Sequence, residues 1–159
     1  MDITEYTRKN PTLFEEWTTA LRNDTHAVVD GAVDPARYFD PANTPRILFV
    51  MKEMNATFWE PVSLLQYLRE DNTRAATWNN VVRWTWVIQG VFNGTADKET
   101  FNFDSRPKID RAQRIDELGR VAVMNLKKTA GTGDSHMPTI DKHAERYGEL
   151  LGKQFKLLN

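Results

Sequence analysis

The sequence predicts an α/β protein with a small parallel sheet and helices on both faces. Two short apolar runs, RILFVM (46–51) and VAVMNL (121–126), are bounded by proline, charge or glycine in the manner of strands buried on both faces. The residues between and after them carry helical periodicity. Apolar strands separated by helical crossovers imply a parallel sheet with helices packed against it.

Asn10 followed by Pro11 reads as a helix cap with proline in the first turn, and Phe14, Trp17 and Leu21 share a face of the helix that follows. The stretch from Asn23 to Pro45 holds an Asp-Gly pair and three prolines and reads as turn and loop, leading into the first strand. EPVSLLQYLRED and TWNNVVRWTWVIQGVF follow as amphipathic helices, the second with Trp78, Val82 and Trp86 at helical spacing. After a polar connection comes a charged helix, KIDRAQRIDELG, which Gly119 ends. The second strand leads through a glycine-containing loop to one long final helix, MPTIDKHAERYGELLGKQFKLL. A sheet of only two strands leaves unpaired edges, so a third short strand is expected in the long loop, or else a helix, a second copy or a partner over the edge.

Bulk properties bound the function. A chain of 159 residues suits one domain, taken as residues 1–159, and 40% hydrophobic with 27% charged residues is the balance of an ordinary globular protein. No long uncharged span suggests a membrane, no secretory leader is legible, and the absence of cysteine excludes disulfides and thiolate metal sites. A cytoplasmic location is the expectation. Net charge is −1, but residues 1–72 hold 7 Lys/Arg against 12 Asp/Glu, and residues 73–159 hold 14 against 10. Between Arg106 and Lys128 stand seven basic and three acidic residues, a stretch that is either a positive face for phosphate or an ordinary solvated surface.

In open α/β sheets ligands gather at the carboxyl ends of strands. There the first strand delivers Lys52, Glu53 and Asn55, and the second delivers Asn125, Lys127, Lys128, Gly131 and Gly133. Side-chain amides both donate and accept, as reading a base edge requires, and so make Asn125 and Asn55 base-binding candidates. Lys52, Lys127, Lys128 and the Gly131 backbone suit phosphate, and Glu53 could orient or activate water. The alternatives are structural: Asn125 capping its own loop, and Lys52 with Glu53 as a surface pair. The tryptophans fit core packing better than base stacking, and His136 and His143, with Asp134 and Asp141, match no zinc spacing. No metal or cofactor is expected; the glycine loop lacks both the P-loop and the dinucleotide-binding patterns.

The series ILFVMKEMN, TWNNVVRW and VAVMNLKKTAG, running from FEEW in the first helix to the final helix, resembles the amino-terminal part of bacterial and phage proteins of the uracil-DNA glycosylase superfamily. The resemblance implies an α/β/α sandwich with a four-stranded parallel sheet. It also implies that KEMN encloses the base, that Glu53 positions water, that Asn125 reads the uracil amide edge, and that Lys127 and Lys128 lie near phosphate. Family members continue with a further buried strand and a histidine-containing catalytic loop, whereas this sequence stops at KLLN, before the third strand. The missing histidine's role passes to neither His136 nor His143.

Two readings follow. One is a shortened, non-catalytic derivative that binds a protein partner, or itself as a homodimer, through an exposed strand edge; a phage-type inhibitor of a host nucleic-acid system would fit. The other is a glycosylase-like enzyme or base-binding module acting on uracil-type bases in DNA.

Overall fold

A computed structural model describes residues 1–21, 27–55, 63–72, 74–97, 108–131 and 135–159. Its elements run α1 (Ile3–Ala20), β1 (Gly31–Ala32), α2 (Pro35–Tyr38), β2 (Ile47–Met51), α3 (Leu64–Glu70), α4 (Ala75–Phe92), α5 (Arg111–Leu118), β3 (Val121–Asn125), α6 (Met137–Arg146) and α7 (Gly148–Leu158). The protein is therefore mixed α/β, as expected.

Among the described residues the sheet has three strands in the order β1-β3-β2. β2 and β3 are parallel, with Ile47 beside Val121 and Met51 beside Asn125. The third strand falls within the long loop, where Gly31 and Ala32 pair antiparallel with Val123 and Ala122. The sheet is mixed, unlike the all-parallel one that the resemblance implies.

Alternation along β3 divides the interior in two. Ala122 and Met124 face a core built from Tyr6, Leu13, Phe14 and Trp17 of α1, Tyr38 of α2, and Leu151, Leu157 and Leu158 of α7. Val121 and Val123 face the opposite core, with Leu64, Leu65 and Leu68 of α3, Trp78, Val81 and Val82 of α4, and Leu118 of α5. Helices thus cover both faces, and every residue of β3 is buried. β2 differs from the expectation of a strand covered on both sides. It is an edge strand, only Ile47 is fully buried, and Val50 is 51% exposed.

Local chemistry sets the helix ends. Asp2, rather than Asn10, caps α1: its carboxylate accepts the Glu5 N–H at 2.8 Å, and Pro11 lies inside the helix. The apolar stripe extends back to Tyr6, whose burial anchors the extra turns. Asp34 caps α2, with Pro35 at its first position, and Ser63 caps α3 through the Gln66 N–H. Asp110 and Gln113 form a capping box, which starts α5 at Arg111, three residues after Lys108. Gly119 ends α5 with right-handed helical dihedrals, so conformational freedom is not its use. A Cβ there would press on the Arg37 side chain, which donates to the Asp116 carbonyl at 2.8 Å.

The expected long final helix is two helices. They part at Tyr147 (φ −115°, ψ 20°), whose ring packs on Trp17 and His143, and Gly148 follows as a weak helix former. Trp78 is buried and Trp86 partly buried in the α4 core, whereas Trp84 is 52% exposed. No helix among the described residues is long and apolar enough to cross a membrane.

Candidate functional site

Parallel pairing continues past the strand ends and draws the two candidate loops together. Leu126 N–H donates to the Met51 carbonyl and Lys127 N–H to that of Lys52, both at 2.9 Å, and Gly131 N–H reaches the Met54 carbonyl at 2.8 Å. The sequence-predicted residues are therefore neighbours, but most of their polar groups turn inward.

Asn125 is 1% exposed and Lys128 0% exposed. Both bind Asp30, a fully buried carboxylate in the segment before β1. The Asn125 backbone N–H donates to Asp30 Oδ2 at 2.7 Å and its Nδ2 to the same oxygen at 3.0 Å. Lys128 Nζ lies 2.7 Å from both carboxylate oxygens, and Gln154 Nε2 of α7 donates to Oδ1 at 2.6 Å. With these donors the lone pairs of Asp30 are saturated. The Lys128 ammonium also lies 5.6 Å from the centre of the Trp17 ring, a cation–π distance. Burial pulls the Lys128 pKa below the usual lysine range, and Asp30 opposes that pull.

A second pair closes the loops. Lys127 Nζ binds Glu53 Oε2, and the two side chains are 15% and 5% exposed. Gly131 lies directly over this carboxylate: a Cβ at that position would collide with the Glu53 carboxyl group. The glycine serves close approach, since its N–H is already given to Met54.

The predicted residues Asn125, Lys127, Lys128, Glu53 and Gly131 all have internal partners. Lys128 cannot present its charge to an external phosphate while enclosed with Asp30, and the Gly131 N–H is occupied within the loop pair. The Asn125 amide N–H group reads an internal carboxylate rather than standing open at the strand mouth. Glu53 is engaged by Lys127 and shielded from solvent. Lys52 and Asn55 alone of the predicted set are exposed, and Asn55 bridges to Gly131 in the paired loops. Gly133 and Asp134 lie outside the described residues.

Much of the basic stretch of the second half is also ion-paired. Of its seven cations, Arg111 and Arg114 pair with Asp71, Arg120 with Asp116, Lys127 with Glu53 and Lys128 with Asp30. Arg114 is the strongest case. It grips Asp71 through two nitrogens at 2.6 and 2.5 Å and Asn79 through a third at 2.8 Å, fastening α5 to the end of α3 and to α4. That bond holds the Asp71 carboxyl below its ordinary range. Lys108 is exposed, and Arg106 lies outside the described residues.

His143 of α6 completes the inner wall. Its Nδ1 is 3.0 Å from the Leu126 carbonyl, which can only accept, so Nδ1 carries the proton, and among the described residues Nε2 of the neutral ring is a buried acceptor without a partner. The ring stacks on Trp17 at 6.1 Å between centroids and meets Tyr147 at 4.6 Å. Burial lowers its pKa, and Lys127, Lys128 and Arg146 add to the effect. His136 is exposed at the N-terminus of α6, with Nδ1 2.8 Å from Thr139 Oγ1. Among the described residues no group of three or more histidine, aspartate or glutamate side chains could hold a metal ion.

Asp30, Gln154 and Trp17 were not legible as parts of one cluster. The available signal was a lone carboxylate inside the apolar run AVVDGAV, where an unpaired charge would be costly.

Comparison with known proteins finds no matching family model, curated protein or solved structure. The resemblance to uracil-DNA glycosylases rests on the quoted motifs alone.

Proposed function

We propose that this chain is a non-catalytic, uracil-DNA glycosylase-like protein that binds a protein partner by accepting a strand along the open edge of β2. The internal commitment of Asn125, Lys127, Lys128 and Glu53 supports this reading over catalysis. A base-reading amide must reach a base, and a catalytic carboxylate must reach water. Here both face their own chain's side chains.

The edge supplies the alternative use. Among the described residues β2 pairs only with β3, and its outer side offers unpaired backbone groups beside the exposed Val50. Exposed Arg46 and Lys52 flank the strand. Their charges favour an incoming apolar strand with acidic residues at its ends.

The test has two parts. Incubation with uracil-containing single- and double-stranded DNA should leave no alkali-labile abasic sites; cleavage lost on Glu53→Ala or Asn125→Ala would establish the glycosylase reading instead. Selection from displayed peptides should enrich extended apolar segments with Asp or Glu flanks, and Val50→Lys should abolish their binding. Enrichment that Val50→Lys leaves untouched would remove β2 from the interface.

A further inference from the structure

A separate cavity of about 340 Å³ lies between α1 and α7, on the helical layer that covers the Trp17 side of the sheet. Its volume falls in the range of small-molecule sites, toward the compact end. Leu13 and Leu157, both nearly buried, give it an apolar floor.

Its rim is cationic. Arg8 and Lys9 of α1 and Lys153 and Lys156 of α7 line the opening against the single carboxylate of Glu16. Two of these cations are engaged: Lys9 binds Glu5, and Lys153 binds Glu16 at 2.8 Å, bridging the two helices. Among the described residues Arg8 and Lys156 have no ion-pair partner within 4.0 Å, although the nearby Glu5 feels the Arg8 charge. An apolar floor below two uncommitted cations on facing helices is complementary to a ligand of matching polarity.

We propose that this cavity binds a compact organic anion, with its apolar body on Leu13 and Leu157 and its phosphate or carboxylate head between Arg8 and Lys156. Arg8 offers a planar fork that suits such heads, and Lys156 adds a point charge from the opposite wall. The site is distinct from the β2 edge and does not depend on the proposed strand binding.

Octyl phosphate tests the inference on the full chain, with 1-octanol as the uncharged control. Titration followed by methyl NMR should shift the Leu13 and Leu157 resonances saturably with octyl phosphate. The double variant Arg8→Glu/Lys156→Glu changes only exposed positions, and circular dichroism should show its fold unchanged. Its affinity should fall by about tenfold or more. Equal binding of 1-octanol, an unchanged affinity in the folded double variant, or no saturable shift would overturn the proposal. Co-sedimentation with phosphatidylglycerol vesicles separates a free anion from a lipid surface: binding to vesicles without binding to octyl phosphate would also overturn it.

Discussion

Lys128 illustrates how a residue's type can mislead about its use. A lysine beside a glycine loop suggests phosphate, yet its ammonium is enclosed with Asp30 beneath Trp17. Removing one member of a buried pair leaves the other uncompensated, so Asp30→Asn should cost about 3–5 kcal/mol in urea unfolding. Adding Lys128→Met should recover a large part of that loss, because the stranded charge is then gone. A loss below about 1 kcal/mol for Asp30→Asn would show that the pair behaves as a surface bridge. His143 gives a pH dependence of definite sign. Its folded pKa is depressed, so its contribution is fully present above the unfolded value of about 6.5 and is lost as pH falls toward the folded value. Melting temperature should therefore decline between about pH 7 and pH 5, and His143→Phe should flatten that slope. An unchanged slope would assign the decline elsewhere. Asp71, also depressed, acts in a separate window, losing its contribution below the ordinary carboxylate range of about 4. At this scale the sequence located Asn125 but not its direction. The amide is buried because of a carboxylate 95 residues away, and no local pattern encodes that meeting.

Elements were more legible where one stretch supplied its own signal. The runs around β2 and β3 and the α4 stripe are local and appear where periodicity places them, whereas the α5 capping box, a local signal not read from the sequence, starts that helix three residues later than expected. Boundaries shifted where tertiary packing overrode local cues, as Tyr6 did for α1 and Tyr147 did for the final helix. The glycines separate these influences. Gly31 has φ +139°, and a Cβ there would stand 2.5 Å from the Tyr6 hydroxyl, which accepts the Ala32 N–H at 3.0 Å. Burial has already pushed that hydroxyl's pKa up to about 12, and its proton stays in place at neutral pH. Gly152 lies inside α7, and a Cβ there meets nothing within 4 Å. Gly31→Ala should therefore destabilise by about 1–3 kcal/mol through backbone strain and the hydroxyl clash. Gly152→Ala should stabilise by about 1 kcal/mol, raising the melting temperature by about 2–4 °C. Thermal unfolding of the two variants checks both signs; a loss at Gly152 would mean that helix propensity does not govern α7.

Across the whole molecule, β3 is shared by both cores while β2, the longer of the two edge strands, stands at the margin, and self-pairing along it can be tested. The strand's ends decide what can pair there. A second copy related by a two-fold axis through Phe49 would lie antiparallel, with Ile47 opposite Met51 and Leu48 opposite Val50. One step further out, Arg46 would face Lys52 of the second copy at both ends, and like charges directly opposite are destabilising. Among the described residues the apolar strand is thereby disfavoured from pairing with a second copy of itself. The chain should sediment as a monomer, with a melting temperature independent of concentration. Arg46→Glu reverses the sign at both contacts at once, since each introduced carboxylate would meet Lys52 of the other copy. This variant should form a dimer that dissociates in high salt, and the further change Val50→Lys should return it to monomer. A wild-type dimer insensitive to Val50→Lys would place self-association on another surface, and a monomeric Arg46→Glu variant would show that flanking charge does not guard this edge.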